Sequence, residues 1–115
     1  ALLNTTTSGI PVVSTTNYIR PDRILVGTGA ELLAQTVRTG IWQAGDGSYP
    51  VGFYVVTGAN GLPSNPGTAA STCNNWTNNT ASYFLTRGAY IFLNEWWGSR
   101  GDPCTTVEPI LCVEQ

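Results

Sequence analysis

The pattern of apolar and polar residues becomes that of a folded body from Asp22 onward. Residues 23–26 carry the aliphatic side chains of a short strand, and the glycines that follow end it. Thr28 precedes an apolar run and has Glu31 three residues later, which is the spacing of a capping box and predicts a short helix. Gly40 follows soon after and keeps that helix short.

The strongest strand signal lies at residues 51–57, which are mostly β-branched or aromatic. Because this run is apolar nearly throughout, we expect a central strand that is covered on both faces. Residues 58–72 contain three glycines, two prolines and two asparagines without periodicity, which predicts a long surface loop of the kind that often carries function. Two more strands are predicted at residues 88–93 and 110–114, so the fold class is a β-rich α+β domain with long loops.

The first 20 residues have a different character from the rest. They are rich in Thr and Val, and Pro11 excludes a helix around it. We therefore divide the chain into an extended arm or stalk end at residues 1–20 and a globular domain at residues 21–115. The arm is expected to pack on a neighbouring chain or to be a partly ordered linker.

Charged residues are scarce, with five Arg against seven Asp and Glu, and Lys, His and Met do not occur. Without His and Lys most nucleophilic, Schiff-base and imidazole–zinc chemistry is excluded, so we expect no enzyme, no cofactor and no metal. Five scattered Arg do not make a phosphate-tracking surface, so no nucleic-acid partner is expected. The longest apolar stretch, residues 51–56, is far shorter than the roughly 20 residues of a membrane span.

Three cysteines, Cys73, Cys104 and Cys112, occur in a chain rich in Thr, Asn and Gly. This composition predicts an oxidising compartment with one disulfide and one cysteine left over, and three pairings are open. A zinc site is the competing interpretation, but three widely spaced Cys without His make a poor ligand set.

Four short segments occur in a fixed order along the chain: Val55-Val56-Thr57-Gly58, Thr72-Cys73-Asn74-Asn75-Trp76-Thr77, Asp102-Pro103-Cys104 and Leu111-Cys112-Val113-Glu114-Gln115. Together they resemble a bacterial domain of unknown function from secreted and surface proteins of spirochaetes and related bacteria. That family is related to the C-type lectin-like and endostatin folds. The resemblance covers about residues 20–115, and its specific part is the Cys-Asn-Asn-Trp-Thr motif with the Cys-x7-Cys-Val-Glu ending.

The resemblance implies a C-type lectin-like domain, located extracellularly or at the cell surface, whose N-terminal helix is missing from this sequence. It matches Cys73 and Cys104 to the inner disulfide of such a domain. Cys112 matches the last cysteine, whose usual partner on the N-terminal helix has no counterpart here. We predict that Cys112 is a buried thiol acting as a small hydrophobe, with a reactive thiol as the alternative.

Sugar-binding relatives of the fold hold calcium with acidic and amide side chains in the long loop and just before the third cysteine. In this chain residues 60–66 contain no carboxylate, and residues 95–99 lack the amide–acid pair. Calcium takes about six or more oxygen ligands, so we expect any sugar to be recognised without it. Asn94, Glu95 and Asp102 are an alternative set of cation ligands.

Trp96 and Trp97 are the strongest candidates for ligand contact. Neighbouring residues on extended backbone point to opposite sides, so one indole is expected in the core and the other partly exposed for stacking on a sugar. The alternative is that both indoles cover the core beneath a long loop. The predicted ligand site combines the long loop with the segment before Cys104, namely Asn60, Asn65, Asn94, Glu95, Trp96, Trp97, Arg100 and Asp102.

Two functions compete. The first is an extracellular binding or adhesion module of a bacterial surface protein that recognises a glycan or another cell-surface ligand. The second is a structural oligomeric cap, such as a fibre tip, and a homotrimer is expected because a body without its N-terminal helix would leave apolar surface uncovered. The carboxylates of Glu95 and Asp102 could in principle support glycoside hydrolysis, but nothing in the sequence marks them as a catalytic pair.

Overall fold

The computed structural model describes residues 1–52 and 54–113, which form two small antiparallel sheets and two very short helices. In chain order the elements are β1 (Asn17–Ile19), β2 (Leu25–Thr28), α1 (Gly29–Leu33), β3 (Tyr54–Val56), α2 (Cys73–Trp76), β4 (Phe84–Ala89) and β5 (Arg100–Pro103). The prediction of a small α+β domain with little helix and long loops is confirmed.

The start of α1 follows its sequence signal. The Thr28 hydroxyl accepts a hydrogen bond from the Glu31 N–H at 3.2 Å, and the Glu31 carboxylate accepts one from the Thr28 N–H at 2.7 Å. This capping box satisfies two backbone donors that have no partner within the helix. Immediately before it, β2 pairs with β1, two residues later in the chain than the predicted strand.

The three-stranded sheet has the order β3-β4-β5, so β4 is central. The prediction that residues 51–57 form a central strand is wrong. Only Tyr54–Val56 form a strand, which pairs with β4 along one edge. Along its opposite edge this strand has a single bridge, from Val56 to Ile110. Val51 is 98% exposed and lies before the strand. Phe53, also in the predicted strand, lies outside the described residues.

The two later strands are also displaced. The strand predicted at residues 88–93 is β4, which begins four residues earlier and ends at Ala89. A hydrogen bond from the Phe92 N–H to the Ala89 carbonyl at 2.9 Å closes a turn there. Of the strand predicted at residues 110–114, the described part makes only the Ile110 bridge, and Glu114 lies outside that part.

Residues 1–20 do not project as an arm but pack on the body of the same chain. Leu2 and Ile10 are 1% and 5% exposed and belong to the main hydrophobic cluster. The backbone N–H of Leu2 donates to the Leu111 carbonyl, and that of Asn4 donates to the Thr57 carbonyl. The sequence interpretation failed here because these isolated apolar residues have no periodicity, yet burying each one stabilises the fold.

The helical segment α2 is a left-handed turn. Its four residues, Cys73–Trp76, have φ between +50° and +65°, a conformation that costs about 1–2 kcal/mol for each residue other than glycine. Contacts from distant segments hold it: the Trp76 indole N–H donates to the Asn4 carbonyl at 2.9 Å, and Asn75 Oδ1 accepts from the Thr6 N–H at 3.0 Å. The disulfide at Cys73 adds a third attachment.

Candidate functional site

A shallow depression of about 580 Å³ lies where the long loop meets the segment leading into β5. We call it the polar depression. Its walls combine side-chain amides, hydroxyls, one guanidinium and exposed backbone, contributed by Gln35, Ala59, Asn60, Gly61, Leu62, Thr86, Gly98, Ser99, Arg100 and Gly101.

The two sides of the polar depression are fixed to each other from below. The buried Thr57 hydroxyl donates to the Trp97 carbonyl at 2.7 Å and joins the base of the long loop to the segment before β5. The Ser99 N–H donates to the Arg87 carbonyl of β4 at 2.9 Å. A Cβ added at Gly98 would lie 3.3 Å from the Ala59 Cβ, so the two segments are in close contact. The site is therefore largely preformed.

Trp96 and Trp97 are buried in the main hydrophobic cluster and present no stacking surface to a ligand. Both are 0% exposed, with their rings edge to face and their centroids 5.0 Å apart. The expectation that one indole would be exposed is wrong because this segment is a series of turns, where the alternation of extended backbone does not apply.

The structure brings part of the predicted site together. Asn60 and Arg100 line the polar depression, and both are exposed. Asn65 borders it, with its Nδ2 3.5 Å from the Asn60 carbonyl. Asn94 and Glu95 are exposed but lie outside the lining.

Asp102 is committed to an ion pair with Arg87, with Oδ2 2.5 Å from the guanidinium Nε. Arg87 also pairs with Glu108 at 2.9 Å, and its guanidinium carbon lies 3.9 Å from the centroid of the Tyr54 ring. Three of the side chains in this group are largely buried, so Asp102 acts within the fold and is not available to a ligand.

The lining residues that were not predicted include Gln35, Leu62 and Ser99. Gln35 Nε2 donates to the carbonyl of Asn94 at 2.7 Å, a contact that spans 59 positions in the sequence. No local pattern signals such a pairing. Leu62 is 46% exposed and sits within the predicted loop, where its apolar side chain among polar neighbours is the signal that was missed.

The disulfide joins Cys73 to Cys104, as the resemblance implied.

Cys112 is exposed, so the expected buried thiol is a wrong prediction. It lies in an apolar cleft of about 360 Å³ between the last described residues and β1. Over its described residues the C-terminal segment forms no extended strand there, and Leu111 and Val113 pack partly against the main cluster while Cys112 stays exposed. We call the cleft between the last described residues and β1 the apolar cleft. Its lining includes Leu2, Tyr18, Ile41, Val55, Tyr90 and Ile110.

Within residues 1–52 and 54–113 there is no group of three or more His, Cys, Asp or Glu placed to hold a metal ion. Neither described helix is long or apolar enough to cross a membrane. The pKa of the Tyr90 hydroxyl, which donates to the Gly52 carbonyl, is raised mainly by burial and also by the nearby Glu108 carboxylate.

Comparison of the chain with protein-family models, curated proteins and solved structures finds no match.

Proposed function

We propose that the protein is an extracellular binding module of a bacterial surface protein that recognises a glycan in the polar depression without calcium. The observation that carries this proposal is the composition of the depression. Amide and hydroxyl groups of Gln35, Asn60 and Ser99 lie beside the half-exposed Leu62. Sugars present hydroxyls next to apolar C–H faces and need such a mixture.

A C-type lectin-like fold and an extracellular location form part of the same proposal. The disulfide between Cys73 and Cys104 supports both, because it pairs the cysteines that the resemblance implies and because disulfides persist in oxidising compartments. The left-handed turn at Cys73–Trp76 coincides with the Cys-Asn-Asn-Trp motif of that resemblance.

The burial of both indoles changes how a sugar would bind. Because Trp96 and Trp97 are buried in the core, Leu62 supplies the apolar contact. The long loop and the segment leading into β5 supply the polar contacts. A shallow, open site of this kind favours weak binding per copy, and useful avidity requires several copies held together.

A glycan array with fluorescently labelled protein tests the proposal. Asn60→Ala and Leu62→Ala are expected to reduce binding at least about fivefold, since each removes one type of contact from an exposed position. Asn79→Ala and Val107→Ala are the matched controls, because both residues are exposed and neither lines the depression. Binding should be unchanged by EDTA. Wild-type binding by both site variants would place the ligand elsewhere.

A structural cap, assembled as a homotrimer, is the second candidate. The apolar cleft favours it, because Ile19 and Ile110 at its rim are 62% and 50% exposed, and such surface is usually covered. Residues 1–20 pack on their own chain, so the contact would run through this cleft and not through a crossing arm. Light scattering should give three times the 12.3 kDa chain mass, and Ile110→Glu should reduce it. A single-chain mass for the unaltered protein would refute the trimer.

A further inference from the structure

We infer that the ligand of the polar depression carries an anionic group, a uronate carboxylate or a sulfate ester, and that Arg100 binds it. This inference rests on the proposed function and narrows its ligand class. It starts from the distribution of charge: among the lining residues, all of which are described, Arg100 is the one with an ionised side chain.

Most arginines of the chain are already neutralised. Arg20 pairs with Asp22, Arg38 pairs with Glu31, and Arg87 pairs with both Asp102 and Glu108. In the described part of the chain, Arg23 and Arg100 make no ion pair with a carboxylate.

The sheet register explains why Arg100 is left unpaired. It lies directly opposite Arg87 in the β4–β5 ladder. Arg87 engages the Asp102 carboxylate on the neighbouring strand and the Glu108 carboxylate beyond it. Both of these carboxylates are therefore engaged by Arg87, and the guanidinium of Arg100 is left to bind an anion from outside the chain.

Backbone N–H groups of the lining residues add further hydrogen-bond donors to the guanidinium of Arg100. The N–H groups of Asn60, Gly61 and Gly98 have no acceptor within residues 1–52 and 54–113. The side-chain N–H of Gln35, by contrast, is used by the Asn94 carbonyl. A carboxylate or sulfate offers only acceptors, so its oxygens match these N–H groups and the guanidinium fork of Arg100. A neutral sugar hydroxyl would not exploit a planar cation in this way.

The test uses an array of glycans in matched sets, in which neutral, uronate-bearing and sulfated members share the same backbone and linkage. Binding is expected to be confined to the acidic members and to weaken with added salt. The uronate and sulfate members distinguish the two sources of negative charge. Titration of the bound glycan into ¹⁵N-labelled protein should shift the side-chain Nε–H signal of Arg100, assigned by its loss in Arg100→Gln.

Arg100→Gln is expected to weaken binding of the acidic glycan about tenfold, the size of one charge-assisted contact. Arg23→Gln is the matched control, because Arg23 is the other exposed arginine without an ion pair in the described residues and lines a different surface. Both substitutions lower the net charge from −2 to −3, so a general field effect would act equally on both.

Three results would overturn the inference. Binding to neutral members alone would refute it while leaving the proposed glycan site intact. Equal losses in Arg100→Gln and Arg23→Gln would show that acidic glycans respond to overall charge and not to Arg100. Binding to no member of the array would refute the proposed function and the inference together.

Discussion

The guanidinium of Arg87 joins three different parts of the chain. It stacks on Tyr54 of β3, pairs with Asp102 of β5 and pairs with Glu108 of the C-terminal segment. Because the group is largely buried, each contact is made at reduced dielectric, where an unpaired charge would be strongly destabilising. Asp102 follows two Trp closely in the sequence and was therefore predicted to bind a sugar. Its ion pair with Arg87 gives it a structural role instead.

Replacing Trp97 by Ala is expected to lower the free energy of unfolding by about 3–5 kcal/mol, because it leaves a cavity in the main hydrophobic cluster. Urea unfolding followed by near-ultraviolet circular dichroism measures this. Any loss of glycan binding would then accompany loss of folded protein and would not report a stacking contact.

Trp42→Ala provides the matched control for Trp97, since Trp42 is 41% exposed and, among the described residues, its ring contacts Tyr49 and Arg20. Its cost should stay at or below about 1 kcal/mol. Equal losses of unfolding free energy in the two variants would contradict the burial of Trp97 described above.

At the scale of elements, the close packing of β4 against the Trp segment depends on one glycine. A Cβ at Gly88 would lie 1.8 Å from the Trp96 carbonyl oxygen and 2.9 Å from the Trp97 backbone nitrogen. Both are backbone atoms, so a side-chain rotation cannot relieve the clash. The central strand β4 and the Trp96–Trp97 segment are therefore in direct backbone contact at Gly88.

Gly88→Ala is expected to destabilise the protein by at least about 3 kcal/mol, because the strand or the Trp segment must move. Gly101→Ala, in the neighbouring strand β5, would place its Cβ 3.8 Å from the nearest atom, the Leu85 carbonyl oxygen, and should change stability by less than about 0.5 kcal/mol. Thermal unfolding of the two variants makes the comparison. Similar melting temperatures would show that β4 and the Trp segment are less tightly packed.

The capping box of α1 predicts a pH effect. The pKa of Glu31 is lowered, first by its hydrogen bond from the Thr28 N–H and then by the Arg38 guanidinium. A carboxyl with a lowered folded pKa stabilises the fold at pH values above its ordinary pKa, and this contribution disappears as the pH falls through the folded value.

Glu31→Gln should therefore be less stable than the wild type at neutral pH, and the difference should shrink when both are unfolded with urea near pH 2 to 3. The glutamine oxygen can still accept from the Thr28 N–H, so the helix itself is expected to remain. A difference between the two proteins that is independent of pH would contradict this account.

The elements show which signals act locally. The first turn of α1 was predicted because a capping box lies within a few residues of the structure it specifies. The strand before it was predicted two residues too early, because Gly27 lies inside β2 and does not end it. The central position expected for β3 was wrong, because whether a strand is central depends on its neighbours. Val56 pairs with β4 on one side and contacts Pro109 and Ile110 on the other, and residues 51–57 contain nothing that indicates this.

Across the whole molecule, the Cys73–Cys104 disulfide joins two residues 31 positions apart in the sequence and closes a loop that includes β4 and β5. In the chain-entropy account a loop of that size contributes about 3–4 kcal/mol by restricting the unfolded chain. Reduction should lower the urea midpoint accordingly. An unchanged midpoint after complete reduction would show that the disulfide does not constrain the fold.

One thiol should react with a thiol reagent in the native, unreduced protein, because Cys112 is exposed. Cys112→Ser should abolish that reaction without changing the urea midpoint. If the native protein reacted only after denaturation, the thiol would be buried, as the sequence had suggested.

The candidate site shows the same division between local and long-range information. Asn60 and Arg100 were predicted because a long irregular loop and polar residues before a cysteine are visible in the sequence. Gln35 could not be, since it reaches the site from the end of α1 through a contact spanning 59 positions. The Trp pair was misjudged because an adjacent pair obeys strand alternation only where the backbone is extended.

The left-handed turn at Cys73–Trp76 has a consequence for spectroscopy. Circular dichroism is the difference in absorption of left- and right-circularly polarised light, and backbones of opposite handedness give far-ultraviolet signals of opposite sign. The five residues of α1 and the four of α2 are therefore expected to offset each other near 222 nm, so that the molecule has the spectrum of a protein with almost no helix. Melting of α1 alone should then make the ellipticity at that wavelength more positive, and melting of α2 alone should make it more negative.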